Sequence, residues 1–143
     1  MEATETRAIK HFTDLRVWQK SHDLFVAMYR AADDLPKTTA AAIILEQILR
    51  KSSGISANIA KGFGARVKHK YIQCLDEARQ EVAETENWLH ALIDCGCFGQ
   101  DVVNPWLEKC LEISRMLGSL IRKLEERNKI KPQVTGDLNS LHP

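Results

Sequence analysis

No stretch of the chain sustains the ~20 apolar residues that a membrane-spanning helix needs, so no crossing of a bilayer is expected. Proline and glycine are scarce, 4 and 7 in 143 residues, which argues against a loop-built or low-complexity chain. Convincing strand alternation is missing as well. The opening residues, MEATETRAIKH, carry mixed charge with no apolar segment behind them, and a secretory leader is not expected. A cytoplasmic protein follows, with Cys74, Cys95, Cys97 and Cys110 as reduced thiols. Catalytic and metal motifs are thin. Glu-x-x-His, which carboxylate metal bundles require, does not occur, and none of the His residues form an i, i+4 pair. Cys95-Gly96-Cys97 could be combined with Cys74 or His90, but the spacing is not that of zinc knuckles and no second Cys/His pair follows. Neither enzymatic activity, metal nor cofactor is expected.

What the chain does have is helical period. Leu15, Trp18, Phe25, Met28, Ala32 and Leu35 recur at helix spacing behind a cap at Thr13 or Asp14, and Pro36 ends the run. Ala41, Leu45, Ile48, Ser52, Ile55 and Ile59 form a second seam, and Leu75, Ala78, Val82, Thr85, Leu89 and Leu92 a third. Val103, Trp106, Cys110, Ile113, Leu117, Leu120 and Leu124 form a fourth, introduced by Asn104-Pro105 as cap and first turn. The fold class expected is all-α, an up-down antiparallel four-helix bundle over residues 12–129, with loose segments at 1–11 and 130–143. Leu107, Leu111 and Ile121 widen the fourth stripe beyond one seam, and Trp88 lies off the third. Such surplus apolar surface predicts a homo-oligomer.

Charge is unevenly distributed. Between Glu46 and Asp76 there is no acid, while Arg50, Lys51, Lys61, Arg66, Lys68 and Lys70 all fall there; Asp76, Glu77, Glu81, Glu84, Glu86 and Asp94 follow, with Arg79 as their one base. The two blocks either attract each other within the fold or between subunits, or the basic one is a nucleic-acid footprint. Residues 52–71, SSGISANIAKGFGARVKHKY, hold its centre. Lys61 precedes Gly62 and a helix leads in, so this is not a nucleotide-binding loop, which needs a strand, GxxxxGK and a Ser or Thr. Gly62 reads as a left-handed cap on helix two. Lys68, His69 and Lys70 then enter the first turn of helix three, where the macrodipole is already positive. That end calls for an anion, either a carboxylate of a neighbouring subunit or a phosphate.

Three stretches carry a resemblance. Phe12-Thr13-Asp14-Leu15-Arg16-Val17-Trp18-Gln19-Lys20 resembles the opening of the 23S rRNA intervening-sequence protein family. Asn58-Ile59-Ala60-Lys61-Gly62-Phe63-Gly64 is similar to its Asn-Ile-Ala-Glu-Gly-Phe-Gly turn, and Arg115-Met116-Leu117-Gly118-Ser119-Leu120-Ile121 to its last helix. The match spans Phe12 to Leu124. It implies an up-down four-helix bundle assembling as a ring, often a homopentamer, with no established enzymatic activity. A related branch, the accessory variability proteins of diversity-generating retroelements, binds a reverse transcriptase and nucleic acid. Lys61 stands where the family usually has Glu, Ser56 where Pro is common, and Val67 where Ser or Thr often caps helix three.

The function expected is a non-catalytic oligomeric scaffold that binds RNA or DNA through Arg50, Lys51, Lys61, Arg66, Lys68 and Lys70, with a reverse transcriptase as the partner that the resemblance implies. A second site for nucleic acid would be Arg115, Arg122, Lys123 and Arg127. The alternative is a protein-interaction or self-assembly module in which subunit contacts consume the basic block. Light scattering at micromolar concentration is expected to give a closed oligomer, with five subunits implied by the resemblance alone. A monomer would remove the ring.

Overall fold

The computed structural model describes residues 8–130, with side chains through Arg127; the loose segments expected at the two ends fall largely outside them. Among the described residues the chain forms four α-helices and no strand: α1 (Arg16–Ala31), α2 (Thr39–Phe63), α3 (Lys68–Asp94) and α4 (Gln100–Ile130). Antiparallel packing of α2 and α3 is fixed by Lys61 Nζ lying 3.9 Å from Glu77 Oε1 and Lys51 Nζ 3.5 Å from Glu84 Oε1, one number falling as the other rises. Lys20 of α1 reaches Glu112 of α4 at 3.3 Å, and these helices run oppositely too.

The seams of α2, α3 and α4 carry the core. Ile55, Ile59, Leu75, Leu89, Ile113 and Leu117 are all 0% exposed, each contributing at most about 1.5–3 kcal/mol through burial. Buried hydroxyls bond their own helices: on α1 Ser21 Oγ donates to the Val17 carbonyl at 2.7 Å, and on α3 Thr85 Oγ1 to that of Glu81 at 2.8 Å. Their polarity is satisfied without a ligand. Of the apolar residues that looked surplus on α4, Ile121 closes the core at 8% exposure whereas Leu111 stays 47% exposed. Trp88 packs half-buried against the core.

Three local expectations change. The core face of α1 is Val17, Ser21, Leu24 and Met28, one step round from the face expected; Phe25 is half-buried and stacks on Tyr29. Asp14 does not cap α1. Its carboxylate accepts from the His11 and Lys10 amides at 3.0 Å each, building a separate 3₁₀ turn, Phe12–Asp14. Leu15 is the N-cap of α1 and makes no side-chain cap bond. At the other end the helix stops at Ala31, and a 3₁₀ turn, Ala32–Asp34, leads to extended, buried Leu35. Asn104 does not cap α4 either: the Gly99 carbonyl accepts from the Val102 and Val103 amides at 3.2 Å, so Pro105 sits inside the helix. Its missing N–H removes the ladder bond that the Asp101 carbonyl would otherwise accept.

The left-handed cap expected at Gly62 is not there. Gly62 is helical and buried, and Gly64 ends α2 with φ −83°, so neither is left-handed. A Cβ on Gly62 would meet Cys74 Cβ at 2.8 Å and the Tyr71 ring at 3.0 Å. The glycine lets α2 and α3 touch. The positive φ, 75°, belongs to Gly96. There the Cys97 amide donates to the Leu92 carbonyl at 2.9 Å and the Gly96 amide to that of Ile93 at 3.0 Å, closing α3 in a Schellman motif. The glycine between the two cysteines is thus accounted for by a helix end.

Gly62→Ala should destabilise the fold by about 1–3 kcal/mol, because the obstacles are a Cβ and a ring on a packed helix. At Gly54 the nearest obstacle to a Cβ is the Glu81 carboxyl, whose carbon lies at 2.8 Å and whose partly exposed side chain can swing away. Gly54→Ala should therefore be neutral or stabilising by up to about 1 kcal/mol through helix propensity. Urea denaturation of the two variants checks the contrast. Equal effects would remove the close-approach role of Gly62.

Candidate nucleic-acid interface

The sequence left α3 without a capping hydroxyl, and its structure follows. Val67 is the N-cap, has no side-chain cap bond, and accepts through its carbonyl from the Lys70 and Tyr71 amides at 3.2 and 3.3 Å. Its first turn contains no acid. The chain leaving α2 must turn back at Gly64 and Ala65, which brings Lys61, Arg66 and Lys70 around one groove of about 550 Å³ with Gln73, Cys74 and Glu77. Lys61, Arg66 and Lys70 are exposed. Arg66 and Lys70 make no ion pair among the described residues, whereas Lys61 leans on Glu77. Lys68 shares the turn, half-buried and with an interaction of its own.

Two of the six cations lie apart from this groove. Arg50 pairs with Glu46 one turn back on α2, Nη2 to Oε2 2.7 Å, and Lys51 reaches across to Glu84. The interval from Glu46 to Asp76 is acid-free only along the chain. Antiparallel packing lays the acids of α3 beside it, Glu84 against Lys51 and Glu77 against Lys61. Lys61 departs from the usual Glu of the similar family turn, and Glu77 supplies an opposite charge for it. These exposed pairs are worth at most about 1 kcal/mol each, so they leave Lys61 available to a stronger anion.

Glu81 sits between the two bridged acids, over the notch at Gly54. Its pKa is raised, first by burial, then by Glu84 and more weakly by Glu77, with Lys51 acting in the opposite sense. Sequence spacing placed Glu77, Glu81 and Glu84 on one face of α3 but gave no hint that the middle one is partly desolvated. Gly54 opposite was the available signal. Elsewhere burial, then Glu86, pushes the Cys110 thiol up to about 12, so it stays protonated in the core. Among the described residues no group of three or more His, Cys, Asp and Glu could hold a metal. No helix among them is long and apolar enough to cross a membrane.

A carboxyl whose pKa is higher folded than unfolded binds its proton more tightly in the folded state. Its contribution is most favourable below the ordinary carboxylate range, near pH 4 on the usual ~4.3 for Glu, and declines as pH rises through the folded value. The stability difference between wild type and Glu81→Gln should accordingly shift against the wild type as pH rises from about 4 towards neutrality. Denaturant midpoints across that range measure it, and a pH-independent difference would show Glu81 fully solvated.

The fold is shared with a known protein. The solved structure of a protein of unknown function from the S23 ribosomal protein family of Bacteroides thetaiotaomicron VPI-5482 is similar at a TM-score of 0.68 and 28% identity, over 73% of this chain and 97% of that one. No curated protein matches the sequence. The family model for the 23S rRNA-intervening sequence protein matches residues 13–119, from the 3₁₀ turn before α1 to the last apolar turns of α4. This chain therefore belongs to the 23S rRNA-intervening sequence protein family.

Proposed function

We propose that the protein is a non-catalytic cytoplasmic scaffold that binds single-stranded RNA or DNA through the turn between α2 and α3. The observation that carries this reading is the convergence of Lys61, Arg66 and Lys70 on one groove beside the acid-free first turn of α3. Lys68 and Lys70, in that first turn, oppose the dipole of α3 at a cost of about 0.3–1 kcal/mol each, and a phosphate reverses that cost; Lys61, in the last turn of α2, is favoured by its own helix. Arg50 and Lys51 are peripheral to it, since both are engaged with carboxylates. In a homo-oligomer, with the pentameric ring of the family resemblance as the proposed form, each subunit adds its groove to the same polyanion. A reverse transcriptase is the protein partner proposed on the same resemblance.

Self-assembly without nucleic acid is the second reading, and a different face favours it. Tyr29 is 61% and Ile43 55% exposed, and Phe25, Ala42, Leu45 and Leu49 line an open groove between α1 and α2. Apolar surface of this kind suits subunit contact.

Fluorescence anisotropy with labelled single-stranded RNA and DNA tests the first reading. Lys61→Gln with Arg66→Ala and Lys70→Ala should keep the oligomer intact, weaken binding by about tenfold or more at moderate salt, and lower the salt slope by about 2, at ~0.7 per phosphate contact. Dissociation of the triple variant into monomers would mean that the cations join subunits, in favour of the second reading. Unchanged binding with unchanged assembly would move any nucleic-acid site to Arg115, Arg122, Lys123 and Arg127.

A further inference from the structure

The seam between α1 and α4 is not uniform along its length. Leu15 and Val17 line it together with Met116 and Leu120 at one end, but farther along α1 the residues around the buried Leu24 are polar or small: Arg16, Lys20, Asp23 and Ala27. On α4 they are Pro105, Trp106 and Lys109. No large aliphatic pair fills the space, and a groove of about 560 Å³ remains. That size lies within the ~300–1,000 Å³ typical of small-molecule sites.

Its parts are ordered along the helices. At the upper end Leu24, Ala27 and Pro105 form an apolar floor beside the half-buried Trp106. Phe98 meets the Trp106 ring edge-on, with centroids 6.0 Å apart and planes at 72°, and so fixes the indole. Lys109 follows Trp106 by one helical turn, roughly 5–6 Å along the surface. Lys20 comes to the same height from α1. Both ammoniums share a single carboxylate, Lys20 Nζ at 3.3 Å from Glu112 Oε2 and Lys109 Nζ at 3.7 Å from Oε1. One negative charge thus positions two positive ones, and one of the two remains uncompensated by it. The only acid lining the groove is Asp23, against the three bases Arg16, Lys20 and Lys109.

We propose that this groove binds a small flat aromatic anion, its ring system against Trp106 and Pro105 and its carboxylate, sulfonate or phosphate monoester between Lys20 and Lys109. The lining selects this chemistry. A cationic ligand would face like charge, and a neutral apolar one would desolvate the ammoniums without pairing them. A nucleic-acid duplex cannot enter a cleft between two packed helices. The groove opens on the α1–α4 seam, separate from the basic turn between α2 and α3, and the inference does not depend on nucleic-acid binding.

The test uses 8-anilinonaphthalene-1-sulfonate and its uncharged analogue N-phenyl-1-naphthylamine, titrated by fluorescence and by calorimetry for stoichiometry. The sulfonate should bind saturably, one per subunit, and at least tenfold more tightly than the uncharged probe. Ala27→Trp, which fills the floor from an exposed position, should abolish binding of both. Lys20→Gln with Lys109→Gln should erase the preference for the anion while leaving the uncharged probe bound as before, and this ratio decides the matter even if Ala27→Trp perturbs the fold. Sulfonate binding that survives Ala27→Trp, or that is lost on Tyr29→Gln instead, would overturn the proposal by placing the probe on the α1–α2 surface. Equal affinity for the two probes in wild type would overturn it as well.

Discussion

The close contact of α2 with α3 at Gly62 sets the geometry on which the charged surface depends. Without a Cβ at that position the two backbones approach until Cys74 and Tyr71 lie against α2. Once the helices are in register there, every pair farther along is determined: Lys61 faces Glu77, Gly54 faces Glu81 and Lys51 faces Glu84. A basic block and an acidic block that follow one another in the chain are thereby folded into a striped face. The turn itself is what escapes this neutralisation. Arg66 and Lys70 lie where α2 has ended and no carboxylate of α3 is bridged to either among the described residues.

Much of the bundle was legible because its seams are plain. The positions expected to be internal on α3, from Leu75 to Leu92, are all buried, as are Ala41, Ile48, Ser52, Ile55 and Ile59 on α2. Periodicity failed where two faces of a helix are nearly equally apolar. On α1, Val17, Leu24 and Met28 compete with Trp18, Phe25 and Met28, and only tertiary packing chooses between sets that differ by one residue of rotation. Caps failed for a related reason: Asp14 and Asn104 are good capping residues, yet capping is local, and a neighbouring turn can take the side chain or extend past it. Gly62 was misread because sequence reveals conformational freedom and not proximity. Gly62 and Gly96 look alike in a string, but one is small for its neighbours and the other is left-handed.

Of the candidate site, sequence supplied the composition and the fold supplied the grouping. The six bases appeared continuous because no acid interrupts them in order. In space they separate by partner, with Arg50 committed within its own helix and Lys51 across to the next. The groove between α1 and α4 was not legible at all. Its walls come from residues some eighty positions apart, and its existence rests on what is small, Ala27 and Pro105, between long side chains. A polar seam in a bundle leaves the same trace in sequence as an ordinary solvated face.

Pro105 gives the fourth helix an uneven mechanical character. It has no amide hydrogen, so the carbonyl of Asp101 lacks the donor that would join the first turn of α4 to the second. That first turn is held chiefly by the Gly99 carbonyl and by the buried side chain of Val103. Solvent exchange of the amides near Gln100 is therefore expected through a small local opening, ahead of the amides around Cys110, Ile113 and Leu117, whose side chains are fully buried. One wall of the α1–α4 groove begins at Pro105, where this ladder is interrupted. Local opening there would change the shape of the groove without unfolding the core beneath it.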